Sequence, residues 1–193
     1  MADAILPSMI WWKARVRSAL ATRARRTCAD KALRCAAVLV PLLFKDGEWH
    51  VLVTQRTHAV EHHKGQISFP GGACDAGDAD AHETALRETY EEIGVPPQQV
   101  EVLGVLDDLR TTSNFVVTPL VGVIPHPYPY RLNPQEVEAV VEVPLSFLHR
   151  PTNLRVEQRE IRGQSTDVLV WEYGPYTIWG ATARILKSLL DLL

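Results

Sequence analysis

Three carboxylates, Glu88, Glu91 and Glu92, stand at i, i+3 and i+4 of one short stretch. On an α-helix that spacing sends all three from one face, with Cβ atoms about 5 to 6 Å apart. Like charges so close oppose one another's ionisation, whereas a hard divalent cation among them keeps all three charged and takes their oxygens as ligands. The pattern therefore points to Mg²⁺ or Mn²⁺. Arg87, four residues before Glu91, is placed to pair with a carboxylate and fix its rotamer. A glycine turn, Phe69-Pro70-Gly71-Gly72, lies just upstream. A metal held against such a turn suits a diphosphate, whose charge it neutralises. Arg56 and Lys64, with His62 and His63 as weaker cations, precede the turn and are the candidates for substrate phosphate. Taken alone, an acidic helix face is equally compatible with a solvated surface, and a His-His pair with an exposed loop. The combination with the turn favours chemistry.

Arg87 to Val95 (RETYEEIGV) resembles the second half of the Nudix hydrolase signature, which runs G, five residues, E, seven residues, then R-E-U-x-E-E-x-G-U with U aliphatic. Every charged and glycine position of that half is present, and Thr89 stands where an aliphatic is usual. The first half departs. Its glutamate would fall on Ala79, and Gly72 lies one residue too far from Arg87. In the family that glutamate braces the helix, so Asp78 and Asp80 are its candidate substitutes. Leu52 to Gly72 resembles a second signature, that of coenzyme A diphosphatases: Leu52, Thr54, Arg56, Gly65, Phe69, Pro70, Gly71 and Gly72 fall at its spacing. Val53 and Thr57 are mild replacements, while Glu61 stands in place of an arginine. Asn133 to Leu148 and Ile178 to Leu186 are also similar to that branch, so the resemblance spans roughly Arg34 to Leu186.

The resemblance implies an α/β fold, a Nudix-type α/β/α sandwich around a mixed β-sheet. It implies metal-dependent hydrolysis of coenzyme A or acyl-coenzyme A to 3′,5′-ADP and (acyl-)4′-phosphopantetheine. Glu88 and Glu92 would be the primary metal ligands, with Glu91 and the Gly71 carbonyl as further ones; Glu88, Glu92 and Arg87 form the catalytic set. Glu88 doubles as general base, with Glu136, Glu138 and Glu142 as alternatives from a later loop. Arg56, Lys64 and Gly72 would contact substrate. The alternative substrates are ADP-ribose, NADH or an oxidised nucleotide. A non-catalytic ligand sensor on the same fold is disfavoured because all three glutamates remain.

These residues need a helix to carry them and a sheet to seat it. Asp80 and Glu83 form a capping pair, Gly94 supplies a left-handed stop, and Leu86, Tyr90 and Ile93, widened by Ala85 and Thr89, form the apolar stripe. Cys35–Phe44 and Trp49–Arg56 read as a hairpin about Lys45-Asp46-Gly47. Further strands are expected over Gln66–Phe69, Val100–Leu109, Phe115–Val123 and Glu136–Val143, then a hairpin of Leu154–Ile161 and Val168–Tyr173. Pro144–Leu148 suggests a helical turn, and Trp179–Leu192 a closing amphipathic helix. Residues 1–33 read as a basic helical segment packed on a domain of residues 34–193.

A chain of 193 residues is long enough for one sizeable core. A net charge of −3 gives no footprint for nucleic acid. No apolar run reaches the ~18 residues of a membrane span. Three cysteines, Cys28, Cys35 and Cys74, lack metal-site spacing and even pairing, which suggests ordinary thiols in a reducing, cytoplasmic setting. The Arg-rich, acid-poor start from Trp11 to Arg34 is read as a helix docked through Ile10, Trp11, Val16 and Leu20 with a solvated basic face; an organellar transit peptide is the lesser alternative. Trp11, Trp12 and Trp49 read as packing residues. The expected partner is a small dinucleotide, and a homodimer is compatible with the sequence.

Overall fold

The longest apolar run forms strand β1 (Arg34–Lys45). Asp46 and Gly47 both take positive φ, 51° and 86°, as a two-residue hairpin turn demands, and return the chain as β2 (Glu48–Arg56). β1 is buried on both faces: Ala36, Val40 and Leu42 enter one core, and Ala37, Leu39 and Leu43 the other. The computed structural model describes residues 2–30, 32–57, 65–161 and 163–193, with side chains from residue 10 onward.

Six further strands join these two in one sheet: β3 (Ile67–Ser68), β4 (Gly71–Ala73), β5 (Glu101–Val105), β6 (Leu109–Arg110), β7 (Phe115–Val123) and β8 (Val137–Pro144). Its spine runs β3-β2-β1-β7-β5, with β4 on β1, β6 on β7 and β8 on β2. β1 and β7 run parallel and the other pairs antiparallel, so the sheet is mixed. Helix α2 (Ala81–Ile93) packs Ala85, Leu86 and Ile93 on one face. The opposite face takes Val16 and Leu20 of α1 (Ala2–Thr22), Leu145 and Leu148 of α3 (Leu145–Leu148), and Ala183, Ile185, Leu186 and Leu189 of α4 (Gly180–Leu190). A three-stranded sheet, β9 (Leu154–Ile161), β10 (Gln164–Tyr173) and β11 (Tyr176–Trp179), adds Trp171 and Ile178 to that core. This is the α/β sandwich about a mixed sheet that the sequence implies.

Several local expectations are corrected. The strand read over Val100–Leu109 breaks into β5 and β6. The register shifts between Val102 and Gly104, and a Cβ on Gly104 would lie 2.8 Å from the Leu20 Cβ, so the irregularity makes room for α1. β11 follows a turn at Gly174 and pairs with β10. Tyr90 belongs to no buried stripe, being 56% exposed, because α2 turns that edge outward. Ile10 and Trp11 are 62% and 61% exposed, so α1 docks through Val16, Leu20 and Trp12, which stacks on Trp49 at 4.3 Å. The basic face of α1 and its exit is ion-paired: Lys13 and Arg17 to Glu101, Arg23 to Asp107 and Arg25 to Asp108. Finally, Cys35 and Cys74 are joined in a disulfide, with Cys28 free. Spacing along the chain hid this pair, because pairing of β4 with β1 brings the two together.

Candidate active site

The glutamates are presented by a helix with well-defined ends. At its entry the Asp80 carboxylate accepts from the His82 and Glu83 amides, both at 2.9 Å, satisfying donors that the helix leaves free. Glu83 reaches back one residue further than a capping box would, to the Ala79 N–H at 2.7 Å. At the exit Gly94 takes φ 76° and donates to the Tyr90 carbonyl. The following loop is tied to that end: the Arg131 and Asn133 amides donate to the Ile93 and Glu92 carbonyls, and the Tyr128 hydroxyl to that of Gly94. A Cβ on Gly94 would meet Arg131 at 2.9 Å, so glycine serves both conformation and close approach.

Arg87 organises the acidic face. Its Nε and Nη2 donate side by side to Asp78, each at 2.9 Å, and Nη1 donates to Glu88 at 2.9 Å and Glu91 at 3.1 Å. Nη2 also reaches the Ala73 carbonyl. Of the two aspartates that could stand in for the signature glutamate, Asp78 grips the arginine while Asp80 caps the helix. Asp78 accepts in addition from the Thr84 hydroxyl and the Asp75 amide. The Arg87 guanidinium holds its carboxyl well below the usual range.

The glycine turn lies directly against Glu88. A Cβ on Gly72 would sit 2.5–2.7 Å from the Glu88 carboxylate, and one on Gly71, whose φ is 153°, would strike the Ala37 carbonyl and the Val38 Cα. Glu92 is 2% exposed, and its Oε2 is buried without a hydrogen-bond partner among the described residues. Burial pushes the Glu92 carboxyl up to about 8; the Arg56 charge and the Gly71 backbone oppose the shift, and Glu136 and Glu88 add to it. Burial likewise raises Glu88, against the pull of Arg87. The Arg56 Nε is a buried donor without a partner among the described residues.

A divalent cation fits this donor set. An orphaned, buried carboxylate oxygen crowded by other carboxylates is costly unless a positive charge meets it. Glu88 and Glu92, beside the Gly71-Gly72 turn, are the residues that would hold the ion. Glu91 is drawn onto Arg87 and half-exposed, and among the described residues no three acidic, histidine or cysteine side chains gather at metal-ligand spacing. Of the alternative bases, Glu136 is the one whose charge reaches both Glu88 and Glu92. Glu142 pairs with Lys45 at 2.8 Å and lies 3.7 Å from His126, while Glu138 is exposed on β8. Lys64, His62, His63 and Glu61 lie outside the described residues. Sequence reasoning missed Thr84 and the loop amide of Arg131, which carry no motif signal, and it took Asn133 only as the start of a similar stretch, without its tie to the helix end. Among the described residues, one concavity of about 490 Å³ lies on the outer face of α2 by Leu86, Arg87, Tyr90 and Pro97, and another of about 240 Å³ lies by Arg26, Leu109 and Arg184. Neither is lined by Glu88, Glu91 or Glu92.

Comparison with known proteins follows the same lines. The family described as NUDIX domain matches residues 33–162. Proteins named "Uncharacterized Nudix hydrolase NudL" from Enterobacter sp. (strain 638) and Salmonella paratyphi B are 40% and 42% identical over 156 residues, covering 81% of this chain and 81% of each. Among solved structures, a MutT/nudix family protein from Enterococcus faecalis aligns over 95% of this chain and 67% of its own, with TM-score 0.54 and 15% identity. A C. elegans Ap4A hydrolase complex aligns over 59% and 82%, with TM-score 0.50 and 21% identity. At those identities the structures support the fold alone.

Proposed function

This chain belongs to the NUDIX domain family and is a hydrolase of pyrophosphate bonds, and from that premise we propose that its substrate is the diphosphate of coenzyme A or acyl-coenzyme A. One observation carries the reading: Leu52 to Gly72, which resembles the coenzyme A diphosphatase signature, is the segment that delivers Arg56 and the Gly71-Gly72 turn to Glu88 and Glu92. The products would be 3′,5′-ADP and (acyl-)4′-phosphopantetheine. Nudix hydrolases generally use Mg²⁺ or Mn²⁺; the bound ion neutralises phosphate charge and acidifies water. Glu88 and Glu92 would hold that ion. Arg87, gripped by Asp78, keeps Glu88 in its rotamer. The turn lets the phosphates approach backbone closely, and Arg56 offers a guanidinium donor to them. The proton of the attacking water passes to a carboxylate oxygen of Glu88 or of Glu136 beside it. Glu61, an acid where the signature has an arginine, favours a second reading, a pyrophosphatase for another nucleoside diphosphate derivative. A hydrolysis screen over coenzyme A, acyl-coenzyme A, ADP-ribose, NADH and nucleoside triphosphates, each with Mg²⁺ and Mn²⁺, separates them. Highest kcat/KM on coenzyme A or its thioesters supports the proposal, and preference for ADP-ribose or NADH overturns it.

A further inference from the structure

We propose that Cys35 and Cys74 form a redox site, whose disulfide clamps the glycine turn and the Arg87-bracing loop to β1 and whose reduction releases them. Cys74 directly follows β4. Among the described residues, three ladder pairs (Ala36 with Ala73, Ala37 with Gly72, Val38 with Gly71), the Leu39 N–H to Pro70 carbonyl bond at 2.9 Å and the Cys74 N–H to Cys35 carbonyl bond at 3.1 Å otherwise fasten the turn and β4 to β1. On one side of Cys74 the Ala73 carbonyl accepts from Arg87; on the other, Asp75 and Asp78 lead into the loop that grips the same guanidinium. The disulfide thus sits between the two contacts that fix Arg87 and through it Glu88. Cys35 is exposed and Cys74 half-buried, so a small thiol can reach the bond.

The chemistry balances with a dithiol reductant or a low-molecular-weight disulfide oxidant. A dithiol gives two electrons and two protons to the Cys35 and Cys74 sulfurs and closes to its own disulfide. In reverse, a small disulfide accepts them and leaves as two thiols. The catalytic consequence rests on the proposed hydrolase reading; the structural one does not.

Thiol titration of the full chain after treatment with a disulfide oxidant should count one thiol, Cys28, and three after a dithiol. Reduction should speed hydrogen exchange across residues 74–91 and lower the melting temperature by about 5 to 15 °C. It should also cut kcat by about tenfold with little change in KM, since misplacing a catalytic group by about 1 Å costs on that order or more. Reoxidation should restore all three. C35S and C74S should sit permanently in the released state, whereas C28S keeps the full response. Three thiols in the oxidised protein, or exchange across residues 74–91 that is identical in both states, overturns the clamp. Redox-dependent exchange without turnover of any diphosphate supports the clamp and sinks the hydrolase reading.

Discussion

At the scale of single residues, the proposed chemistry rests on a few carboxylates whose surroundings give them different states. Glu92 is buried, and one of its oxygens has no partner among the described residues, so its charged form calls for a cation to complete it. E92Q keeps the shape and removes the charge, so we expect kcat to fall by at least about 100-fold while circular dichroism is unchanged; near-wild-type turnover would remove Glu92 from the site. E136Q tests the proton acceptor: a loss of about 100-fold or more in kcat assigns the role to Glu136, and a change under about threefold leaves it with Glu88. Asp78 has a folded pKa below its unfolded one, so its contribution to stability is fully present above about pH 4 and fades as pH falls through the folded value. D78N lacks that contribution at every pH. The melting temperatures of wild type and D78N should therefore differ most near neutrality and converge in acid; a gap that does not change with pH contradicts the bracing role. The three glutamates and Arg87 were legible because helical spacing alone puts them on one face. The choice between Asp78 and Asp80 was not, since both lie in one turn and only the fold shows which one meets the guanidinium.

At the scale of elements, the site is a junction of α2 with the turn at β4, and the two glycines divide the work. A methyl at Gly71 would strike backbone on β1 at a left-handed φ, so G71A should cost about 1 to 3 kcal/mol in denaturant unfolding. A methyl at Gly72 meets only the flexible end of Glu88. G72A should therefore unfold almost as wild type does, yet lose at least about tenfold in kcat, because it displaces a group that must be preorganised. Equal stability of the two variants would contradict this division. Strands with strong period-two or unbroken apolar character, such as Phe115–Val123, coincide with β7 to the residue. The expectation fails over Val100–Leu109, where the chain leaves the ladder between β5 and β6: the Asp108 amide donates to the Arg26 carbonyl and the Asp108 carboxylate accepts from the Cys28 amide, ties to a distant part of the chain. Tyr90 fails for a related reason: an apolar residue at the stripe's edge is exposed once the neighbouring layer ends.

At the scale of the whole molecule, α1 is fastened by burial on one side and ion pairs on the other. L20A should destabilise by about 2 to 5 kcal/mol, lowering the melting temperature by roughly 5 to 20 °C, because it empties the space above Gly104. A drop under about 2 °C would mean that α1 is not anchored there. The layers, the mixed sheet and the β9–β10 hairpin follow from the motifs, the apolar patterns and the order of elements, whereas the disulfide and the addition of β11 to the second sheet arise from contacts that no local pattern encodes. The identity of the substrate is the claim on which the functional account turns. Its most direct test is to incubate the purified chain with coenzyme A and Mg²⁺ or Mn²⁺ and resolve the products. Equimolar 3′,5′-ADP and 4′-phosphopantetheine, abolished by a chelator and by E92Q, is the predicted result. No cleavage of coenzyme A or its thioesters, under conditions where the same preparation hydrolyses another nucleoside diphosphate derivative, would contradict it.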